Sequence, residues 1–474
     1  MSQTPSTLLA PAVSAYPKYA GVLNALGALI TLDPAAVAPA STPAPAPTPV
    51  SAPTPAPPST PTPSPAPIPA PTTANPSTLS VIAGRAIALA GDGTVCTFDF
   101  GDTADEFNAL RGYNAAHVYD KPGTYVAKVT PSGKAAVATT VTVTADTRPT
   151  ITLAPTDDLT AALGKLKAPT IVLLPRGATY NLKAPANISL DGITLRAMPA
   201  TSASAPAPRI CRLAAAGVFS TLVIGGADIS IEGIEFDSDQ PLKPAPAVNG
   251  KVSVYALNIM GQNLLVRNCN FRNVDDALHC EPQARGLVAI DCTFTDELRS
   301  CAAYLDAMQN VTLLGLKAAG SVCEHIIRLE GAQNVLVSGC DIDNKDGKET
   351  IAIRMGTNVS IAGNTLRAWA RISEGTAAAP SVYCKNILFA TNHFAGLRPD
   401  GPWLQINPGS QKVLIDANTF DVDATQVAIA VQAPVTALTL TNNELSRVNG
   451  ATSSRALVDP FGNPGFVETG TTTG

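Results

Sequence analysis

One nine-residue motif returns along the chain at a nearly fixed interval. It opens on Asn or another polar residue and continues as an apolar–x–apolar strand. A small or polar pair follows, then Cys or Asn, then x–apolar. The copies are NISLDGITL at 187, DISIEGIEF at 228, NLLVRNCNF at 263, GLVAIDCTF at 286, NVTLLGLKA at 310, NVLVSGCDI at 334, NVSIAGNTL at 358, NILFATNHF at 386, KVLIDANTF at 412 and ALTLTNNEL at 437. Equivalent positions are Cys269, Cys292, Leu316, Cys340, Asn364, Asn392, Asn418 and Asn443, in steps of 23, 24, 24, 24, 28, 26 and 25 residues. A period of this length means stacked units, each too small to bury a core alone. Each unit holds two or three short strands and no helical period, so the units read as coils of a parallel β-solenoid. Alternation along each strand sends one set of side chains inward. Stacking then sets like on like: Cys269 over Cys292, and Asn364, Asn392, Asn418 and Asn443 as a ladder that satisfies buried turn amides. The nine cysteines read as small core residues rather than a disulfide scaffold.

The rest of the 474 residues divides by composition. Residues 1–38 contain one modest apolar stretch, YAGVLNALGALITL from Tyr19, and read as an N-terminal attachment segment or, equally, a frayed terminus. Residues 39–76 hold 16 prolines among Ala, Thr and Ser, a composition that cannot bury a core and favours an extended polyproline II spacer. Residues 77–147 alternate apolar and polar with frequent turn signals, the pattern of a small β-sandwich, and residues 148–474 form the solenoid. Asp157 to Leu166 reads as one short capped helix at its entry. A net charge of −5 argues against nucleic acid as main partner. No apolar run is long enough to span a bilayer, and the first residues lack a basic segment followed by an apolar one, so no standard secretory signal is expected.

Two resemblances follow from these residues. Phe98-Asp99-Phe100-Gly101-Asp102, followed by His117-Val118-Tyr119-Asp120-Lys121-Pro122-Gly123-Thr124-Tyr125, resembles the PKD family of immunoglobulin-like domains, with Phe98 where members usually carry Trp. That resemblance implies a spacer or adhesion module, and His117 reads as a packed strand residue. The coils over roughly 150–460 resemble the right-handed parallel β-helix of pectate-lyase-like proteins, a group of polysaccharide lyases, polygalacturonase-type hydrolases, epimerases and bacteriophage tailspikes. The fold class expected is therefore all-β: a right-handed parallel β-helix preceded by a PKD-like sandwich and a Pro-rich linker. The Gly-His-Gly motif of polygalacturonases and the Asp-Pro-His-Asp motif of alginate epimerases are absent.

Solenoid enzymes use outward side chains of adjacent coils as a rigid platform. Aligning the strand before each motif gives Leu257–Met260, Leu278–Glu281, Ala303–Asp306, Ile327–Glu330, Ile351–Arg354, Leu404–Asn407 and Ile429–Gln432. Their second residues form an outward column of Asn258, His279, Tyr304, Arg328, Ala352 and Gln405. Their fourth residues form another, of Met260, Glu281, Asp306, Glu330, Arg354 and Asn407. Like charges on neighbouring strands repel, so three stacked acids need a cation, raised pKa values or nearby arginines. Three chemistries fit. In hydrolysis two carboxylates flank a glycosidic bond. In elimination Arg328 neutralises a uronate while Tyr304 or His279 removes a proton, and Glu281, Asp306 and Glu330 suit Ca²⁺, although no metal ligand set is assigned. In pure binding the columns grip sugar hydroxyls. Glu281, Asp306, Glu330, His279, Tyr304 and Arg328 are the catalytic candidates; Asn258, Arg354, Gln405, Asn407 and Trp403 are the substrate-binding ones. Asp275 and Asp276 read as turn residues, and Ala368 to Val382, with Trp369 and Arg371, as an insertion rimming the groove. The leading expectation is a tailspike-like virion appendage, or an extracellular protein, that binds and cleaves a bacterial surface polysaccharide. In that expectation it joins other virion proteins through the N-terminal segment and forms a homotrimer. A non-enzymatic adhesion spike and an exported bacterial polysaccharide-degrading enzyme are the alternatives.

Overall fold

The computed structural model describes residues 75–473 except 201, 203, 218, 240–253, 296–299, 322–323, 345–347, 374–382, 397–400, 423–426, 433, 448–456 and 459–466. The expectations for residues 1–38 and almost all of the Pro-rich stretch lie outside the described residues.

Seven strands make a small sandwich: β1 (Thr78–Ile82), β2 (Ala86–Ala90), β3 (Cys96–Asp99), β4 (Ala109–Gly112), β5 (Asn114–Val118), β6 (Gly123–Pro131) and β7 (Val137–Thr144). One layer is a sheet in the order β1-β7-β6-β3-β4, and the other is the antiparallel pair β2-β5. Alternation buries Leu89, Phe98, Phe100, Tyr119 and Val141 between the layers. The Tyr119 hydroxyl donates to the Phe100 carbonyl at 2.8 Å. His117 is buried and stacks on Phe100 with ring centres 4.7 Å apart, as a packed residue should.

From Thr150 the chain winds into a parallel β-helix with three long parallel sheets. One complete coil illustrates the order: Asp276–Cys280, Arg285–Ile290, then Thr293–Phe294. First strands stack into an 11-stranded sheet, the site face; second strands into a 13-stranded sheet, the docking face; third strands into a 12-stranded sheet of short strands. A short helix, Leu159–Gly164, covers the first coils. Asp158 caps it by accepting from the Ala161 amide at 3.1 Å, and Leu159 and Leu163 enter the core. Phe236, Phe271 and Phe294 stack from coil to coil at 5.1 and 5.2 Å, nearly coplanar. The eight described cysteines are buried, with no disulfide among them.

The Asn ladder forms as the spacing requires. The Oδ1 atoms of Asn364, Asn392, Asn418 and Asn443 accept from the amides of Cys340, Asn364, Asn392 and Asn418 at 2.9–3.1 Å. The first residue of each motif does a second job that periodicity did not disclose. Asp228, Asn263, Asn310, Asn334, Asn358 and Asn386 turn the chain onto the docking face in the left-handed region, with φ of 54–61°, where Asn and Asp pay the least steric penalty among side-chain-bearing residues. The first motif copy is offset from the others: Asn187 lies inside the strand Ala186–Ile188, and Gly192 (φ 71°) occupies the corner, because Thr194 pairs with Ser230.

The sandwich lies against the docking face. Leu314, Leu336, Leu388 and Ala390 point outward from the solenoid yet are buried in the same apolar cluster as Leu110, Tyr113 and Ala115. Phe107 sits over the bare backbones of Gly315 and Gly339, where an added Cβ would come within 3.0 and 3.1 Å of its ring. The Tyr113 amide donates to Ser360 Oγ at 3.1 Å, Arg111 pairs with Asp416 at 2.7 Å, and Arg267 pairs with Asp120 at 2.6 Å.

Candidate functional site

Strand pairing fixes the outward columns of the site face. Asn258, His279, Tyr304, Arg328 and Ala352 are successive partners. The next coil, missing from the sequence alignment, follows: Ala370–Ser373 pairs with Ile351–Arg354 and then with Leu404–Ile406. Arg371 therefore stands between Ala352 and Gln405, and Ser373 follows Arg354. The region read as an insertion from Ala368 contains a regular coil, and its Ala-Arg-Ile-Ser alternation matches that of Ile351–Arg354.

The first column is a stack. His279 lies flat against Tyr255, ring centres 3.7 Å apart, and against Tyr304 at 5.1 Å. The Arg328 guanidinium covers the other face of Tyr304 at 5.0 Å, a cation–π contact. His279 Nδ1 is 3.0 Å from Asp276 Oδ2, and Nε2 is 3.8 Å from Glu281 Oε1. Asp276 also accepts from the Cys301 amide at 2.9 Å. It is thus no turn residue: it begins the strand Asp276–Cys280 and orients the imidazole. Asp275 does tie a turn, accepting from the Val254 amide at 2.7 Å.

The second column holds the acids. Asp306 and Glu330 are direct cross-strand partners, with Arg354 next to Glu330. Glu281 follows Cys280, the partner of Leu305, so it stands beside Asp306. Glu330 is engaged: Arg328 donates to Oε2 at 2.6 and 3.1 Å, and the Tyr304 hydroxyl donates to it at 3.4 Å. Asp306 has no such partner among the described residues. Burial, then the charges of Glu330 and Glu281, raise its carboxyl above the usual range despite His279 and Arg328. Burial also pushes the Tyr304 phenol well up.

The remaining candidates separate. Gln405 Nε2 donates to Asn407 Oδ1 at 2.8 Å at the far end of the columns. Arg354 is half-buried, with no ion pair among the described residues. Trp403 is a correction: it is fully buried, packs on Phe394 and donates to the Asp421 carbonyl at 2.6 Å. Its indole fills the core and offers sugar no stacking face. Arg371 is held from beneath by Glu349 at 2.7 Å and lies over Trp369 at 5.6 Å. Glu349 in turn meets the fully buried His325 at 2.5 Å. Burial alone would raise the Glu349 carboxyl, but the His325 hydrogen bond and the charges of His325 and Arg371 outweigh it, and the group sits low. Among the described residues no group of three or more His, Cys, Asp or Glu is arranged to hold a metal ion. No described helix is long and apolar enough to cross a membrane.

Three parallel sheets around an apolar core define a parallel β-helix, one face of which carries the stacked charged columns. No family model matches the chain, and no curated protein matches it in sequence. Solved structures match in fold. The alginate lyase from Paenibacillus sp. is 12% identical, with 68% of this chain and 99% of that one covered and a TM-score of 0.40. The exopolygalacturonase from Thermotoga maritima is 11% identical, covering 66% and 86%, with a TM-score of 0.49. A surface adhesin of Streptococcus pneumoniae is 12% identical, covering 61% and 85%, with a TM-score of 0.42.

Proposed function

We propose that the site face binds a polysaccharide along its two columns and hydrolyses a glycosidic bond, with Asp306 as proton donor. One observation carries this reading. Asp306 is the middle of three stacked carboxylates, lacks a neutralising partner among the described residues, and has its carboxyl raised by burial and by Glu330 and Glu281. A raised carboxyl beside an ionised one is the division of labour that glycoside cleavage needs. Glu330 is committed to Arg328 and Tyr304, which leaves Glu281 as the second carboxylate. Neighbouring strands stand about 4.8 Å apart, close to the carboxyl separation of about 5–5.5 Å used by retaining enzymes.

Asp306 gives its proton to the glycosidic oxygen as that oxygen leaves the anomeric carbon, and Glu281 attacks the same carbon to form a glycosyl ester. Asp306, now ionised, takes a proton from water, whose oxygen displaces Glu281. His279, held by Asp276 at 3.0 Å, faces Glu281 at 3.8 Å. Asn258, Arg354, Gln405 and Asn407 grip neighbouring sugars. Elimination fits less well: a Tyr304 phenol raised by burial is a weak base near neutrality, and Arg328 is occupied by Glu330.

The finer reading is that the polysaccharide coats a bacterium and that a virion carries the protein, as a homotrimer, on the stalk composed by residues 39–76. The decisive experiment incubates the full chain with bacterial capsular and exopolysaccharides, following reducing ends and absorbance near 235 nm, with Asp306→Asn as control. New reducing ends without absorbance, lost in the variant, are expected. Absorbance with the ends means elimination, and binding without cleavage means an adhesin; either overturns the hydrolase reading. Detection of the chain in purified particles, and its mass by light scattering, test the virion and trimer readings.

A further inference from the structure

The sandwich and solenoid leave a cleft of about 450 Å³ between them, remote from the acid column, in the size range of small-molecule sites. One wall is Ile82, Ile87 and Ala88 of the sandwich; the other is Leu265 and Val288 of the docking face. Two guanidiniums, Arg85 and Arg148, also line it. Arg85 donates to the Asp228 carbonyl, to Ser230 Oγ at 3.0 Å and to Thr194 Oγ1 at 3.4 Å. Arg148 donates to the same Thr194 hydroxyl at 2.9 Å and pairs with Asp146 at 2.5 Å. Two cations thus converge on one neutral hydroxyl, but only Arg148 is neutralised: it holds Asp146 at two points, 2.9 and 2.5 Å, and also donates to the Gly192 carbonyl.

The other nearby carboxylates are occupied. Glu232 pairs with Arg196 and Arg267, and Asp228 accepts from Asn263. Among the described residues no carboxylate pairs directly with Arg85. Burial and the charge of Arg148 push its guanidinium down to about 10, against the pull of Asp228, Asp146 and Glu232. Arg85 is half-buried, and its three hydrogen bonds all go to neutral oxygens, so its charge favours an anion in the adjoining cleft.

We propose that this cleft binds a small amphipathic carboxylate, its oxyanion on Arg85, with the Arg148–Asp146 pair beside it, and its aliphatic body along Ile87, Leu265 and Val288. Carboxylate and guanidinium match in geometry and charge. The walls carry no aromatic platform, so they select an aliphatic chain rather than a sugar ring. Because the ligand touches both layers, it fastens the sandwich to the docking face, a role independent of polysaccharide cleavage.

The test uses the full chain and two probes, acetate and hexanoate, titrated by calorimetry at constant ionic strength with chloride as control. Each buried methylene is worth about fourfold in affinity, so hexanoate should bind at least about tenfold tighter than acetate. Hexanoate should also raise the unfolding temperature in proportion to the logarithm of its concentration. Arg85→Gln should abolish both effects. Ala88→Phe, which fills the cleft and leaves both arginines in place, should do the same and decides the matter if Arg85→Gln fails to fold. Equal affinity for acetate and hexanoate, no binding at all, or unaltered binding in Ala88→Phe overturns the proposal.

Discussion

Replacing Asn392 by Ala should remove a rung that holds three coils together. The side chain makes four hydrogen bonds, all buried. Its Oδ1 accepts from the Asn364 amide at 3.1 Å and from Asn364 Nδ2 at 2.9 Å. Its Nδ2 donates to the Ile361 carbonyl at 2.8 Å and to Asn418 Oδ1 at 2.9 Å. Deletion leaves the Asn364 amide without that acceptor, at roughly 1–3 kcal/mol for an unsatisfied buried donor. Asn364 Nδ2 keeps Val337 and Asn418 Oδ1 keeps the Asn392 amide, so the other three losses are ordinary hydrogen bonds at roughly 0.5–1.5 kcal/mol each. The sum is about 5 kcal/mol, a large part of the stability of a typical domain. Because a solenoid unfolds by neighbouring units, urea unfolding should be paired with amide exchange, which should show protection lost first in strands 357–362, 385–390 and 411–416. The control is Asn386→Ala. Asn386 lies on the outer corner ladder with one described side-chain bond to Asn358 at 2.8 Å and φ of 55°, so its loss should cost about 1–2 kcal/mol. Equal costs for the two variants, or a loss below about 1 kcal/mol for Asn392→Ala, would refute the ladder as a source of cohesion.

Three further outcomes are expected. Asp306→Asn should abolish cleavage while stabilising the fold at pH 7 by roughly 0.5–2 kcal/mol, the relief of two like-charged cross-strand neighbours. Because the folded carboxyl is raised, native stability contributed by its protonated form is lost as pH rises, so this gain should vanish below about pH 4 in matched urea titrations. On the proposed hydrolase reading, cleavage by the unaltered chain should likewise fall with rising pH as Asp306 ionises, which a kcat/KM profile would reveal. Phe107→Ala should loosen the sandwich by about 1–2 kcal/mol, seen as faster exchange of the Tyr113 amide with the solenoid's Asn364 amide unchanged. Trp403→Ala should cost about 3–5 kcal/mol yet leave polysaccharide affinity unchanged where the protein is folded, as affinity electrophoresis can measure.

The coils were legible because stacking makes each residue its own neighbour's template. Cys269 over Cys292 and Asn364 under Asn392 show as a period, and the period-2 alternation of Ala303–Asp306 and Ile327–Glu330 gave the outward columns. The coil at Ala370–Ser373 is hidden in the sequence because the step from Asn364 to Asn392 is 28 residues, and a lengthened step reads as an insertion even where it contains a regular strand. Trp403 misled because an aromatic beside a Pro-containing turn reads the same whether its ring packs in or out. The docking face carried a signal that went unused. Leu264, Leu265 and Val266 are consecutive apolar residues, as are Leu287, Val288 and Ala289. A strand exposed on one side alternates, whereas a strand covered on both sides reads as a continuous apolar run. Those runs mark the face that the sandwich covers, and no spacing between motifs could say which segment does the covering.

That cover bears on the acid column. Like charges on adjacent strands push coils apart, and a free sheet would answer by slipping or spreading. Here Ala303–Asp306 is paired on both sides, to Asp276–Cys280 and to Ile327–Glu330. The same coils continue into the docking face, where Leu314 and Leu336 are buried under the sandwich. Coil spacing at the column is therefore set by two other faces, and Asp306 cannot gain distance from Glu281 and Glu330. The repulsion remains as a raised carboxyl on a rigid platform. On the proposed hydrolase reading, an acid placed this way needs no movement to become competent, which is what preorganisation of a site on regular elements means.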